Sequence, residues 1–379
     1  MDFALTDDHL ALRDAVRRFC DGEYPAQRRG DHEMPAQSAR RWAGMAELGL
    51  LGLPFSADAG GSDLGPVEVM VVAEELGRAL GGGAFVGSTV MAGQLLTRLA
   101  TAPQQQRWLP AMAGGRMQAA VALYEQGARY DWHRIQTTVE PTPQAYRLNG
   151  RKTMVLHGDS AGLLLVVARG DASSPGGGLS VLAVDADATG VQVHGFDTLD
   201  GRRAAHIVFT DVLVAADRML GAPGQAADAV EAALDAATAA VCAEAVGAVD
   251  ALLVQTAEHL RQRRQFGTPL AKFQVLQHRL ADMLIGLEQL KSMACVSAMA
   301  LQADDAARRR HMVSAAKVLA SQLGREIGLR AIQLHGAMGM TDECRVGHYA
   351  KRLMVIGQMF GDAAWHLQRM QAHPTARAV

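Results

Sequence analysis

The chain has 379 residues, of which 49% are hydrophobic and 20% charged, so it can bury the cores of two or three structural units. Its formal net charge of -2 gives no basic field that would favour nucleic acid, which argues against a nucleic-acid-binding protein. The N-terminal sequence has neither the cationic start nor the apolar stretch of a signal peptide, and no uninterrupted apolar run approaches bilayer length. We therefore expect no membrane partner.

Residues 1–117 predict an N-terminal all-α domain. Thr6 is a plausible N-cap, because two aspartates follow it in the first turn, where carboxylates favour the helix dipole. A second helical pattern runs from Val67 to Leu80. It stops at three consecutive glycines beginning with Gly81, which cannot sustain a helix cheaply.

Residues 118–222 predict a middle β domain, because short β-rich runs alternate with clusters of Gly, Pro, Asp and Ser. Such runs are Leu163 to Val167, Leu179 to Val184 and His206 to Phe209. The glycine-rich segment Asp171 to Gly178 is interpreted as a turn between two of these strands.

Residues 223–379 predict a C-terminal bundle of four long helices, at approximately 227–262, 274–302, 305–335 and 342–371. On the second of these, six residues recur at helical spacing and are predicted to share one face: Leu276, Leu280, Met283, Leu284, Leu287 and Leu290.

Cysteine and histidine give no sign of a metal site. Cys20, Cys242, Cys295 and Cys344 are far apart and match no paired metal spacing, and the histidines are scattered among predicted helices. We expect reduced thiols, no metal and a cytoplasmic location.

Two motifs in the C-terminal third carry a family resemblance. The first is Arg263-Arg264-Gln265-Phe266-Gly267, followed by Phe273-Gln274-Val275-Leu276-Gln277-His278-Arg279-Leu280-Ala281-Asp282-Met283. The second is Gln333-Leu334-His335-Gly336-Ala337-Met338-Gly339-Met340-Thr341-Asp342-Glu343. Together, and in this order, they resemble the signature of the acyl-CoA dehydrogenase family, and the resemblance covers nearly the whole chain.

The resemblance implies the acyl-CoA dehydrogenase fold, with an N-terminal α-helical domain, a middle β-barrel-like domain and a C-terminal four-helix bundle. It also implies a tetrameric flavoprotein of fatty acid β-oxidation. Such an oxidoreductase uses FAD to convert an acyl-CoA substrate to the 2-enoyl-CoA and passes the electrons to an electron-transfer flavoprotein.

The family's FAD contacts fall on named residues of the bundle. By resemblance, Arg263 would reach the pyrophosphate of a neighbouring subunit's FAD, Phe266 would pack near its adenosine, and Gln274 would bond on the same side. Gln333 and the main chain at Gly336 and Ala337 would take the remaining pyrophosphate and ribose contacts, because small residues let the main chain approach closely.

Two segments of the middle domain, residues 121–131 and 149–158, resemble the family's flavin-ring motifs, and both depart from them. Tyr124 replaces the usual Thr, Tyr130 the usual Ser, Met154 the usual Trp, and Leu156 the usual Thr that bonds near flavin N5. A leucine side chain cannot make that bond, but the main chain of Leu123, Val155 and Leu156 can. Tyr130 and Asp235 are candidate substrate-binding residues.

The family's catalytic base, a carboxylate that removes the α proton, has no counterpart at its two usual positions. Phe360 stands where most members have Glu, and Ala237 stands at the alternative site on the first bundle helix. Asp362 lies two residues from the first position and is the candidate base. It is equally a candidate N-cap for the helix that begins at Ala363.

With these departures, the chain most resembles the small subunit of pimeloyl-CoA dehydrogenase and related bacterial proteins. Relatives of this type commonly pair with a different acyl-CoA dehydrogenase subunit. Three readings stay open. The chain is an active dehydrogenase with a displaced base, a catalytically inactive partner that completes a shared FAD site in a heterotetramer, or a flavin oxidase, monooxygenase or desulfinase on the same fold. A homo-oligomer remains the alternative assembly.

Overall fold

The computed structural model describes residues 4–24, 35–170, 178–303 and 305–372. The predicted turn Asp171 to Gly178 lies outside these ranges except for its last residue. The helices of the described chain are, in order, α1 (Asp7–Glu23), α2 (Pro35–Glu47), α3 (Pro66–Ala79), α4 (Gly93–Leu99), α5 (Ala102–Ala113), α6 (Ala227–Gln262), α7 (Gln274–Ala300), α8 (Ala306–His335), α9 (Arg345–Gln358) and α10 (Ala363–Ala372). A π-helix, Phe85–Ala92, precedes α4.

The strands are β1 (Ala119–Ala122), β2 (Thr138–Pro141), β3 (Ala145–Leu156), β4 (Leu163–Arg169), β5 (Leu179–Asp185), β6 (Val191–Asp197), β7 (Arg203–Ala215) and β8 (Met219–Leu220), with a separate two-residue pair β9 (Arg264–Gln265) and β10 (Thr268–Pro269). The sheet runs in the order β6-β7-β3-β2-β4-β5-β8, and β1 pairs in parallel with β4. All three β-rich runs predicted from the sequence are confirmed as parts of β4, β5 and β7.

The chain forms two compact units. The sheet unit comprises the described residues of Met34–Gly65 and Gly83–Ala237, and the bundle unit those of Met1–Glu33, Pro66–Gly82 and Thr238–Val379. The domain limits at 117 and 222 remain a prediction from the sequence.

The core of the sheet unit is built from strands that are apolar on both faces. β4 and β5 are buried at every position except the last, as expected for strands covered on two sides. The π-helix is buried along its whole length, and its Ser88 hydroxyl accepts a hydrogen bond from the Ala119 amide at the start of β1. This contact ties the π-helix to the strand that leads into the candidate site.

The bundle unit depends on two glycines where α3 crosses α6. A Cβ added at Gly77 would lie 2.0 Å from the Glu244 carbonyl oxygen, and one added at Gly247 would lie 1.7 Å from that of Glu74. Both positions therefore require glycine. In the same unit Thr6 caps α1 as predicted, with its hydroxyl accepting from the His9 amide.

Three of the four long helices are confirmed almost to the residue, but the fourth prediction is wrong. The segment 342–371 forms two helices, because the chain turns at Phe360 and Gly361, both with positive φ, and α10 begins only at Ala363. The predicted common face of α7 is also incorrect at Leu284, which is 49% exposed, whereas Met283, Leu287 and Leu290 are buried. Leu284 lies at the edge of the predicted face, so the buried stripe of α7 is narrower than the spacing of the six residues suggests.

Among the helices of the described residues, Ala227–Gln262 has the length and hydropathy to cross a bilayer by composition alone. However, 83% of its most apolar window is buried inside the protein. Its apolar residues are thus accounted for by packing.

Candidate functional site

A buried ion pair joins the two segments of the sheet unit that resemble flavin-ring motifs. Lys152 on β3 donates to Glu125 Oε1 at 2.7 Å and to the Leu123 carbonyl at 3.1 Å. Glu125 also accepts from the Gln136 amide and from the amide and hydroxyl of Thr137. Burial acts to raise the pKa of Glu125, but the Lys152 charge and these hydrogen bonds outweigh it and the pKa is lowered.

The pair fixes the end of β1 beside a β-bulge in β3. The register with β7 shifts between Lys152 and Val155, and Met154 in this bulge has φ 51° and is 47% exposed. The Thr153 amide donates instead to the Tyr124 carbonyl at 2.8 Å. The structure therefore brings the predicted cofactor residues Leu123 and Tyr124 next to the bulge that precedes Val155 and Leu156.

The remaining predicted residues of the sheet unit differ in exposure. Leu156 is half-buried, and a Cβ added at Gly87 of the π-helix would lie 3.6 Å from its Cβ. Tyr130 is half-buried, with the Arg129 guanidinium 5.8 Å from the centre of its ring. Asp235 on α6 is fully buried. Leu156 lies beside the π-helix, a kind of helix that often occurs at functional sites.

In the bundle unit, the first family motif forms a short hairpin. β9 and β10 pair through a two-residue turn in which Phe266 and Gly267 both have positive φ, the pattern of a type I′ turn. Phe266 is 90% exposed at the tip, and its ring meets that of Phe273 edge to face at 6.1 Å. Gln274, at the start of α7, is exposed. An aromatic ring presented in this way is suited to covering an adenine held by another molecule.

The two family motifs converge at one end of the bundle unit. The rings of His259 on α6 and His335 on α8 stack at 4.3 Å, one helical turn before Arg263 and one residue before Gly336. Burial, with smaller effects of the neighbouring His335 and Arg263, lowers the pKa of His259. Arg263 is one of the exposed arginines at this end of α6.

The residues at this end fit a pyrophosphate. Arg263, Gln333 and Ala337 are exposed, and Gly336 has φ 64° with nothing within 4 Å of an added Cβ. The Gly336 amide already donates to the Gln333 carbonyl, so the charge for a pyrophosphate would come from the exposed Arg263 guanidinium.

The predicted base position lies in the turn between α9 and α10. Phe360 is 6% exposed and has φ 57°, and Gly361 follows with φ 123°. Asp362 is half-buried, and its Oδ1 accepts from the Trp365 amide at 2.9 Å. Of the two interpretations of Asp362, the N-cap of α10 is confirmed.

The alternative base position on α6 is occupied by an alanine, and Glu244, seven residues further along the helix, is held in an ion pair. Ala237 is fully buried. Glu244 accepts two hydrogen bonds from Arg352, at 2.7 and 2.6 Å, and both side chains are 3% exposed. A carboxylate held in a bidentate pair with arginine is stabilised in its charged form and poorly placed to accept a proton.

Sequence reasoning assigned no role to Glu125, Lys152 or Lys317. Lys317 on α8 is fully buried and donates to main-chain carbonyls of the α9–α10 turn. The available signal was weak: each is a charged residue at an otherwise apolar position of a strand or helix pattern. Within the described ranges, no group of three metal-ligating side chains occurs, and all four cysteines are free.

Comparison with known proteins gives the class. Three family models match the chain: the acyl-CoA dehydrogenase N-terminal domain over residues 6–116, the middle domain over 120–212 and the C-terminal domain over 226–373. The helical, β and helical parts seen in the structure follow the same order, which confirms the predicted fold. The chain belongs to the acyl-CoA dehydrogenase family of oxidoreductases.

Three proteins illustrate the similarity. The short-chain specific acyl-CoA dehydrogenase of Clostridium acetobutylicum is 27% identical over 356 residues, covering 90% of this chain and 91% of its own length. A variant of the steroid acyl-CoA dehydrogenase Tcur3481-Tcur3483 is 29% identical with a TM-score of 0.86, covering 97% of both chains. The ChsE4-ChsE5 complex from Mycobacterium tuberculosis is 25% identical with a TM-score of 0.87, covering 99% of this chain and 100% of the other.

Proposed function

We propose that this chain is a subunit of a heteromeric, FAD-dependent acyl-CoA dehydrogenase in which it completes a shared FAD site while a different subunit supplies the catalytic base. The observation that carries the proposal is Phe360, an apolar residue at the family's base position in a turn that has no free carboxylate to offer. In this role the chain would be similar to the small subunit of pimeloyl-CoA dehydrogenase.

The length of α8 supports the interpretation that this chain contacts two different FAD molecules. Lys317, bonded to the turn that holds Phe360, and His335, beside Gly336, lie 18 residues apart on α8, which corresponds to about 27 Å along a helix. This is longer than the reach from the ring to the pyrophosphate of one FAD. Arg263 and Gly336 therefore serve a different FAD from the one that would face residue 360, and that FAD belongs to a neighbouring subunit.

Two observations support a partner of the same family. The outer side of α7 exposes apolar side chains, with Val275 at 59%, Leu284 at 49% and Ile285 at 58%, which is costly unless another surface covers them. Two solved structures with this fold are described by pairs of names, Tcur3481-Tcur3483 and ChsE4-ChsE5. A second acyl-CoA dehydrogenase chain is the partner we propose, in a heterotetramer.

The roles of this chain's residues follow from their surroundings. Arg263 would neutralise the pyrophosphate, Phe266 would cover the adenosine, and Gln274, Gln333 and Ala337 would bond around them. Bound FAD supplies the acceptor for the β hydrogen of the acyl-CoA, and the electrons pass on to an electron-transfer flavoprotein. The free cysteines fit a reducing, cytoplasmic compartment.

A second candidate is a chain that is active on its own, with Asp362 as the base. Asp362 is half-buried rather than sealed off and lies two residues from Phe360. Its carboxylate already caps α10, which a proton-accepting role would have to tolerate. We rank this candidate below the first for that reason.

The experiment compares the purified chain alone with the same chain co-expressed with a candidate partner, a second acyl-CoA dehydrogenase chain from the same genome. Flavin content is measured by absorbance, and bleaching is followed after anaerobic addition of butyryl-CoA, octanoyl-CoA and pimeloyl-CoA. We expect the chain alone to show no bleaching and the complex to hold FAD and bleach. Bleaching by the chain alone, abolished in Asp362→Asn, would support the second candidate instead.

A further inference from the structure

Lys317 is a buried cation that contacts both sides of the turn at Phe360. Its Nζ donates to the Gly361 carbonyl at 2.7 Å, the Gly357 carbonyl at 3.2 Å and the Ser321 hydroxyl at 3.1 Å. These three acceptors match the three N–H donors of an ammonium group. Two of them are main-chain carbonyls that bracket Phe360, one on each side.

The turn that Lys317 contacts has a conformation that needs support. Phe360 has φ 57°, and a bulky non-glycine residue keeps this strained conformation only where its surroundings enforce it. At Gly361 an added Cβ would lie 2.6 Å from Trp365 Cε3 and 2.8 Å from His366 Nε2. The backbone conformation on both sides of Phe360 is therefore restricted.

The surroundings of Lys317 are polar and built for this one contact. Gly357 lies in the last turn of α9, where unpaired carbonyls carry partial negative charge that attracts a cation. The Ser321 hydroxyl lies 2.8 Å from the Lys317 carbonyl and 3.3 Å from the Gly357 carbonyl, and its single proton serves one of them at a time. His366, which is buried, bonds Ser314 through Nδ1. Burying a lysine costs free energy unless its ammonium group is hydrogen-bonded. Lys317 is fully buried, and its hydrogen bonds to the turn offset that cost, which couples the lysine to the conformation of the turn.

We propose that Lys317 is a positioning residue for the side chain at 360: by anchoring the carbonyls of Gly357 and Gly361 it fixes the left-handed turn that sets the direction of that side chain. The inference rests on the proposed function, in which 360 is the base position of the family. It adds that the chain has lost the carboxylate but kept the backbone that would direct one.

The test follows Phe360 directly by 19F NMR. All nine phenylalanines are labelled with 4-fluorophenylalanine, and the resonance of Phe360 is assigned as the one lost in Phe360→Leu. In Lys317→Met we expect that resonance to move by more than its line width, or to split, with the other eight unchanged. In the control Lys351→Met, which removes a half-exposed lysine of α9, no resonance moves.

A purely stabilising role would lower the melting temperature of Lys317→Met without moving this one resonance selectively. A folded Lys317→Met with an unshifted Phe360 resonance would overturn the proposal. If that variant does not fold, Ser321→Ala removes one acceptor of Nζ and must move the same resonance by a smaller amount, and an unshifted line there would also overturn it. The measurement needs no FAD, acyl-CoA or partner, so its failure is distinct from failure of the proposed function.

Discussion

Arg352 on α9 donates two hydrogen bonds to the carboxylate of Glu244 on α6, and neither side chain reaches solvent to more than 3%. Glu244 is one of the few acids near the alternative base position. The pair turns it into a structural element that holds α9 against α6, close to the glycine crossing of α3 and α6. Its contribution is therefore to the fold of the bundle unit.

Removing one member of this pair should be strongly destabilising, because the other is left as an uncompensated buried charge. We expect Arg352→Met to lower the free energy of unfolding by about 3–5 kcal/mol, measured by denaturant titration. The double variant Arg352→Met with Glu244→Leu should recover most of that loss. The control Arg330→Met breaks a surface pair with Asp282 and should cost less than about 1 kcal/mol. Losses that simply add in the double variant would contradict the assignment.

Lys317 should make stability rise with pH above neutrality. Burial lowers its pKa from 10.5 to about 8, against the attraction of Cys242 and Asp362. Between pH 8 and 10.5 the unfolded chain still carries the proton that the folded chain has released, so the free energy of unfolding increases with pH across this window. The increase relative to Lys317→Met, from paired titrations at pH 7.5 and 10, should be at most about 3 kcal/mol. A wild-type stability that falls relative to the variant would refute the lowered pKa.

Asp362 should behave as a cap and not as a base. Asp362→Ala removes the acceptor of the Trp365 amide and should cost about 1 kcal/mol of stability. Asp362→Asn keeps an N-cap acceptor and should cost little. In the assembled complex both variants should bleach flavin with acyl-CoA at the wild-type rate, and a loss of bleaching in both, including the Asn variant that keeps the cap, would reverse the assignment.

Restoring a carboxylate at residue 360 should restore base catalysis, if the turn is preserved as proposed. We expect Phe360→Glu to raise the rate at which the acyl-CoA panel bleaches flavin that faces this chain by about 10²–10⁴-fold, the range of a general base. Phe360→Gln has the same length without the charge and is the matched control. Equal rates for the two variants would contradict a retained base position.

Most helices and strands could be predicted from the sequence, because caps, periodicity and breaker residues lie within the element that they specify. Thr6 and the helix over 227–262 were predicted from a cap residue and from regular periodicity with clear breakers. Only the N-cap interpretation of Asp362 points to a break at this place, because a left-handed phenylalanine has no sequence signature of its own. The eight buried residues of the π-helix likewise have no amphipathic period to reveal it.

The residues of the candidate site also fall into those that sequence motifs indicate and those that only the folded structure shows. The proposed FAD contacts of Arg263 and Gly336 come from the family resemblance of two motifs, and the structure adds that a histidine stack brings the two motifs together. Lys317 and the Glu125–Lys152 pair could not be predicted, because their partners lie 27 to 44 residues away and only folding makes them neighbours.

The central claim is that Arg263 holds the FAD of a neighbouring subunit, and flavin content of the assembled complex tests it most directly. Arg263→Ala in this chain, co-purified with its partner, should retain assembly by size-exclusion chromatography yet lose most of its FAD on dialysis. The control Arg261→Ala removes an exposed arginine that meets Glu258 and should leave the FAD content unchanged. Full FAD occupancy in an intact Arg263→Ala complex would contradict the account.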